Sequence, residues 1–174
     1  MITLEEFTDK YLWELIDYDW VWGSQCTDLL KAYTNEVLNV RLWSFGGSAR
    51  SGWSNVNNTF PANDWEKVVN DYNQPFQTPK EWDLIFWDSW NYWHCAISTI
   101  DNAWNTITML EQNVWNWDWY WEDDATQLNI WNYNQILGWY KYKWNNQNTE
   151  SEELKKENKI LKEKLDKIKL TAEY

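Results

Sequence analysis

The sequence predicts an α+β fold in which N-terminal helices pack on a mostly antiparallel β-sheet, followed by a separate C-terminal helix. Three observations predict it. Apolar residues recur every three or four positions through the first forty residues, the period changes to two after Pro79, and the chain closes on a charged segment with its own apolar repeat. Helices first and then a run of strands with short connections place helices against an antiparallel sheet. With 174 residues the chain can build one sizeable core plus an appendage.

Thr3 followed by Glu6 forms a capping box, and Phe7, Tyr11, Leu12, Leu15 and Ile16 recur at helical spacing, so a first helix is expected over residues 3–16. An acidic loop follows it. A second helix is expected from Cys26 through Leu29, Leu30, Tyr33 and Val37 to Asn39. Residues 41–60 read as irregular surface loop, because Gly46-Gly47-Ser48, Ser51-Gly52, Asn55, Asn57 and Asn58 are turn formers. Pro61 is expected to open a short third helix through Trp65, Val68 and Val69, stopped before Pro75. The candidate strands are 83–87, 94–100, 106–113, 127–133 and 137–142, parted by turn-rich pieces such as Asp101-Asn102. Trp115, Trp117, Trp119 and Trp121 alternate with polar residues, the pattern of a half-buried strand or of an exposed platform for sugar rings.

Composition shifts at Asn145-Asn146-Gln147-Asn148, which divides the chain into a body (1–143), a linker (144–149) and a charged helix (150–170). In that helix Leu154, Asn158, Leu161, Leu165 and Ile168 alternate by four and three, and Thr149 with Glu152 forms a second capping box. The repeat reads either as a short coiled-coil seam through which copies could associate, with Asn158 at a core position, or as a connecting helix leading to a further domain.

Charge excludes one class of partner. Residues 1–149 hold 8 Lys/Arg against 20 Asp/Glu while residues 150–174 hold 7 of each, so the net charge of −12 lies wholly in the first part. An acidic body excludes nucleic acid, whose phosphates need a basic surface. No apolar run approaches the ~20 residues of a membrane span, so no membrane insertion is expected. The start Met1-Ile2-Thr3-Leu4-Glu5-Glu6 lacks the basic residues of a secretory signal, so synthesis without one, in the cytoplasm, is expected. Two Cys without repeated spacing make neither a disulfide framework nor a zinc site, and a single His excludes histidine-rich metal centres.

The stretch Asp17-Tyr18-Asp19-Trp20-Val21-Trp22-Gly23-Ser24-Gln25-Cys26-Thr27-Asp28 concentrates three carboxylates, a Gln and a Cys at the mouth of the second helix. A Cys in a first helical turn faces unpaired N–H groups and the positive end of the macrodipole, which favours the nucleophilic thiolate. Asp17, Asp19 and Asp28 would repel one another without a cation, and hard oxygen ligands on a short loop suit Ca²⁺; the same residues also fit a solvated turn and a helix cap.

Asp17-Tyr18-Asp19 with Gln25-Cys26-Thr27-Asp28-Leu29, then Tyr92-Trp93-His94-Cys95-Ala96-Ile97, then Leu110-Glu111-Gln112-Asn113, resembles the CHAP family of cysteine, histidine-dependent amidohydrolases and peptidases. The likeness spans roughly residues 4–143 and is strongest to the catalytic domains of phage endolysins. It implies a papain-like fold and cleavage of an amide bond in bacterial peptidoglycan, as an N-acetylmuramoyl-L-alanine amidase or an endopeptidase acting on the wall after release from the host. Cys26 would be the nucleophile and His94 its base and later the acid for the leaving amine. Glu111 would orient the imidazole with Asn113 assisting, and Gln25 would join the Cys26 N–H as an oxyanion hole. Asp17, Asp19 and Asp28, with the backbone carbonyls of Val21 and Gly23, would hold structural Ca²⁺. Cys95, pointing away from His94, is expected to be structural. A separate wall-binding domain would supply targeting. The alternative is a wall-binding or assembly module that uses Trp platforms and oligomerises through residues 150–170.

One departure from the family recurs. Trp20, Trp82 and Trp93 stand where relatives carry Gly, and Trp115, Trp117, Trp119 and Trp121 fall where relatives tend to have a Gly-rich loop. The chain has 18 Trp and only 5 Gly. Glycine at such places supplies φ > 0 or room for close approach, so these Trp are expected to have replaced Gly, by engineering or in recording the sequence, and real indoles there would cost stability and activity.

Overall fold

The computed structural model describes residues 1–42, 45, 48–71, 78–88, 93–100, 106–114, 124–132 and 136–143. Of the chain's two compact units, the first, Met1–Tyr142, carries every element below; of the second, Lys143–Tyr174, only Lys143 is described. The expectations for residues 144–149 and 150–170, for Trp115 to Trp121, for Gly46 and Gly47 and for Tyr92 lie outside the described residues.

Helix α1 (Leu4–Tyr11) begins with the expected capping box. Thr3 Oγ1 accepts the Glu6 N–H at 3.1 Å, and Glu6 Oε2 accepts the Thr3 N–H at 2.7 Å. It ends well before residue 16, because Trp13 takes a left-handed backbone (φ 71°) that no α-helix can continue. The Trp13 N–H then bonds Thr126 O at 2.7 Å and Glu14 O receives the Thr126 N–H, tying this corner to the segment before the fifth strand. Helix α2 (Cys26–Glu36) buries Leu29, Leu30, Ala32 and Tyr33 and stops just short of Asn39, which is itself left-handed at φ 54°.

Two expectations are corrected between residues 41 and 70. Inside the region read as loop lies a short helix α3 (Ala49–Ser54), capped by Ser48 at its start and by left-handed Asn55 at its end. Gly52 is there for packing, since a Cβ would come 2.4 Å from Phe45 Cδ1. The helix expected after Pro61 is instead a strand, β1 (Trp65–Val69). Pro61 O accepts the N–H of Asp64 and Trp65 in a single turn, after which Trp65 pairs with Tyr142. Trp65 and Val68 are buried three apart, which mimics helical spacing, but partners at the far end of the chain and the β-branched Val68-Val69 pair decide for the sheet.

The remaining strands fall where the period of two places them: β2 (Leu84–Trp87), β3 (His94–Ser98), β4 (Thr106–Glu111), β5 (Gln127–Asn132) and β6 (Ile136–Tyr142). They form one six-stranded sheet in the order β1-β6-β2-β3-β4-β5, antiparallel at every pairing. Every residue of β2 and β3 is buried, so the centre of the sheet is covered on both faces. One face gathers Val68, Ile85, Trp87, Ala96, Ile107, Met109, Ile136 and Trp139, with Trp131 packed against them. Helix α2 packs on β3. Gly138 (φ 151°) admits β1 to β6, where a Cβ would come 2.1 Å from Val68 O.

Candidate active site

Cys26 is the first residue of α2 and His94 the first of β3, the strand on which α2 packs. Glu111 closes β4. Because Ile97 pairs with Leu110 and Ser98 with Met109, the antiparallel count puts His94 and Glu111 on one face, diagonal neighbours across β3 and β4. His94 Nε2 lies 3.1 Å from Glu111 Oε2, both buried. The other carboxylate oxygen of Glu111 accepts Asn129 Nδ2 and Trp131 Nε1, each at 2.6 Å. The edge of the Trp87 ring closes on the imidazole at 4.4 Å between centroids. His94 is therefore fixed by β2, β4 and β5 together, and a carboxylate so held can hold the ring's orientation.

The Cys26 thiol and the His94 imidazole shift each other's titration in opposite directions. A hydrogen bond from Cys95 and the nearby His94 hold the Cys26 thiol well below its usual range, overcoming the burial that opposes ionisation. Burial disfavours charge on His94, yet the Cys26 thiolate and Glu111 raise its pKa to about 9. Burial, and then Cys26 itself, push the Cys95 thiol up, so the second cysteine stays protonated and donates. Cys95 alternates to the strand face opposite His94 and also interacts with Cys26.

Gln25, the residue before α2, is held on four sides. Its backbone N–H bonds Asp28 Oδ2 at 3.0 Å, its Nε2 donates one N–H to Trp22 O at 2.8 Å, and its Oε1 accepts Asn113 Nδ2 at 3.2 Å. Asn113 thus meets Gln25, and the carboxylate on His94 is Glu111. The Gln25 carbonyl accepts Gln112 Nε2 at 3.0 Å. Fully buried, Gln112 also donates to Ile16 O at 2.8 Å, and its Oε1 accepts the Ile16 N–H at 2.8 Å and Thr126 Oγ1 at 3.1 Å. One side chain at the end of β4 thereby grips both ends of the acidic loop. Sequence reasoning passed over it, although it stands between Glu111 and Asn113, because a Gln beside a strand end reads as an outward residue.

In the acidic loop, carboxylate oxygens of Asp17, Asp19 and Asp28 lie within 4.8 Å of one another. Asp17 Oδ1 is buried without a hydrogen-bond partner, which fits a cation. Asp28 is buried, and its pKa is raised by that burial against the Gln25 N–H and Lys31. Lys31, unforeseen in sequence, puts Nζ 2.6 Å from Asp19 Oδ2 and 3.1 Å from Asp28 Oδ1. One ammonium group is therefore shared by two of the three carboxylates, offsetting one of their charges. Between them Trp20 (φ 60°), Trp22 (φ 68°) and Gly23 (φ 71°) are left-handed, with both indoles 87% exposed. Trp82 (φ 82°) and Trp93 (φ 61°) are left-handed too, as their correspondence to glycines implies; Trp13 and Trp22 join them from the structure alone. The Trp93 indole meets the Arg50 guanidinium of α3 at 5.4 Å.

No family model matches the chain. Over 108 residues it is 33% identical to the endolysin PlyTW of Staphylococcus phage Twort, a match covering 58% of this chain and 21% of that protein. The chain thus spans about a fifth of that relative's length. Its fold matches the crystal structure of a wild-type endolysin, LysIME-EF1, with a TM-score of 0.62 at 20% identity, covering 81% of this chain and 64% of the other. The α+β architecture is an endolysin-like fold.

Proposed function

We propose that the chain is the catalytic part of an endolysin, a peptidoglycan hydrolase that cuts an amide bond of the bacterial wall with Cys26 as nucleophile. The observation that carries the proposal is the buried relay Cys26–His94–Glu111, with Glu111 held by Asn129 and Trp131. An amide carbonyl is a poor electrophile and its nitrogen a poor leaving group. A thiolate answers the first difficulty and an imidazolium beside it the second, donating its proton as the C–N bond breaks to give a thioester on Sγ. The neutral imidazole then takes a proton from water, whose oxygen attacks the thioester and frees Cys26. The second N–H of Gln25 Nε2 and the Cys26 backbone N–H at the start of α2 would receive the carbonyl oxygen as charge develops on it. In CHAP terms the bond lies at the sugar–peptide junction or within the wall peptides.

Asp17, Asp19 and Asp28, with the carbonyls of Val21 and Gly23, would hold Ca²⁺, which when bound supplies structural bracing of the loop that carries Gln25 and Cys26. Lys31 would have to swing from Asp19 and Asp28 on binding. Amine release from purified Gram-positive walls tests the reading. A hydrolase generates new amino groups as turbidity falls; a wall-binding module using its exposed Trp would bind the wall and release none, which would overturn the proposal.

A further inference from the structure

Among the described residues, nine other than glycine hold a left-handed backbone. Four are Asn39, Asn55, Asn58 and Asn113, of the residue type that best tolerates this region after glycine. The other five are Trp13, Trp20, Trp22, Trp82 and Trp93, and no third type occurs. Steric conflict between Cβ and the following carbonyl falls on every such residue and is worst for bulky ones, so replacement of glycine by ordinary drift would favour Asn or Asp over Trp. Three of the indoles gain little by their position, whereas Trp82 lies 6.3 Å from the Tyr33 ring and Trp93 meets Arg50. Trp13 is 70% exposed and Trp20 and Trp22 87%, so none of the three buries much apolar surface. At Trp82 the N–H bonds Ser98 O at 2.9 Å and the carbonyl accepts Tyr33 Oη at 3.2 Å, so the turn is fixed from both sides whatever side chain it bears. Trp53, Trp65, Trp87 and Trp139 form the contrast: all are buried and none has positive φ. Among the described residues the tryptophans thus fall into two populations, five with a left-handed backbone that suits glycine and five, Trp131 included, that lack it.

A single triplet connects tryptophan with glycine. UGA, a stop in the standard code, is decoded as tryptophan in some bacteria and as glycine in others. A chain with 18 Trp and 5 Gly is what results when UGA triplets meant for glycine are decoded as tryptophan. We infer that Trp13, Trp20, Trp22, Trp82 and Trp93 are encoded by UGA, and that the natural host inserts glycine there with a glycyl-tRNA of anticodon UCA. The host is therefore a bacterium that reads UGA as glycine. In a standard-code cell synthesis would halt at codon 13, which confines production of the protein to hosts with that tRNA.

The codons and the translated residues test this together. The gene is expected to carry UGA at four or all of the five positions and UGG at Trp53, Trp65, Trp87 and Trp139. Peptide mass spectrometry of the protein made in its natural host is expected to find glycine at the UGA positions. UGG at two or more of the five, or tryptophan at those positions in the host-made protein, overturns the inference. The hydrolase reading is decided separately by amine release from walls.

Discussion

Replacing Trp13, Trp20 and Trp22 together by glycine should stabilise the protein. Each holds a left-handed backbone at φ 71°, 60° and 68°. An L-residue with a Cβ loses ~1–2 kcal/mol in that region, and glycine loses almost none. Against this, glycine is the more flexible residue in the unfolded chain, which costs about 0.5–1 kcal/mol at each position. Because the three indoles are 70%, 87% and 87% exposed, little burial is forfeited. The net gain is about 0.5–1 kcal/mol per position, or roughly 1.5–3 kcal/mol for the three, large beside a marginal stability of ~5–15 kcal/mol. At about 2–4 °C per kcal/mol for a domain of this size, Tm should rise by roughly 3–12 °C. Thermal unfolding followed by circular dichroism measures it. The matched control replaces the same three residues by Ala, which removes the indoles but keeps the Cβ and should give no gain. An Ala triple as stable as the Gly triple, or a Gly triple with unchanged Tm, would refute the reasoning.

Four further predictions concern the site. Glu111→Gln removes one of the two groups that hold the His94 pKa near 9, so the alkaline limb of the pH–activity profile should move to lower pH and kcat fall on the order of 10²-fold or more; an unmoved limb contradicts the relay. The same group sets a pH dependence of stability: folding raises His94 from 6.5 to about 9, so its contribution is complete below pH 6.5 and lost as the pH rises through 9, a decline that His94→Ala should flatten in urea titrations. Gln112→Leu leaves the Ile16 N–H and C=O without their partner, at ~1–3 kcal/mol for each if it stays buried, while the Gln25 C=O keeps the Asp28 N–H. A loss of roughly 2–5 kcal/mol by urea unfolding is expected; below ~1 kcal/mol with unchanged kcat the clamp is not what it is held to be. Calcium at about 100 times its Kd should add ~2.7 kcal/mol, reversed by chelation and absent in Asp17→Asn; a Tm indifferent to calcium removes the metal from the loop.

Local signals made much of this legible. Leu84 to Trp87 announced a strand because a sheet centre is buried on both faces, and Thr3 with Glu6 announced a helix start because the capping box closes within three residues. What stayed hidden depends on distant partners or on a missing stop signal. Trp13 ends α1 through its backbone alone, and an indole in the sequence gives no hint of that where a glycine would. Strand β1 takes its identity from β6, at the other end of the unit. The same holds within the site. Cys26, His94 and Glu111 were legible as a motif, whereas the grip of Gln112 on Ile16 spans 96 residues, and the Cys95 contact with Cys26 exists only once α2 has docked on β3.

The central claim is that Cys26 attacks a wall amide, and the rate of amine release from purified walls by Cys26→Ala measures it most directly. Removing the sulfur on which the thioester would form should abolish release while leaving the fold, followed by Tm, intact. Release at the unsubstituted rate from folded Cys26→Ala would contradict the account.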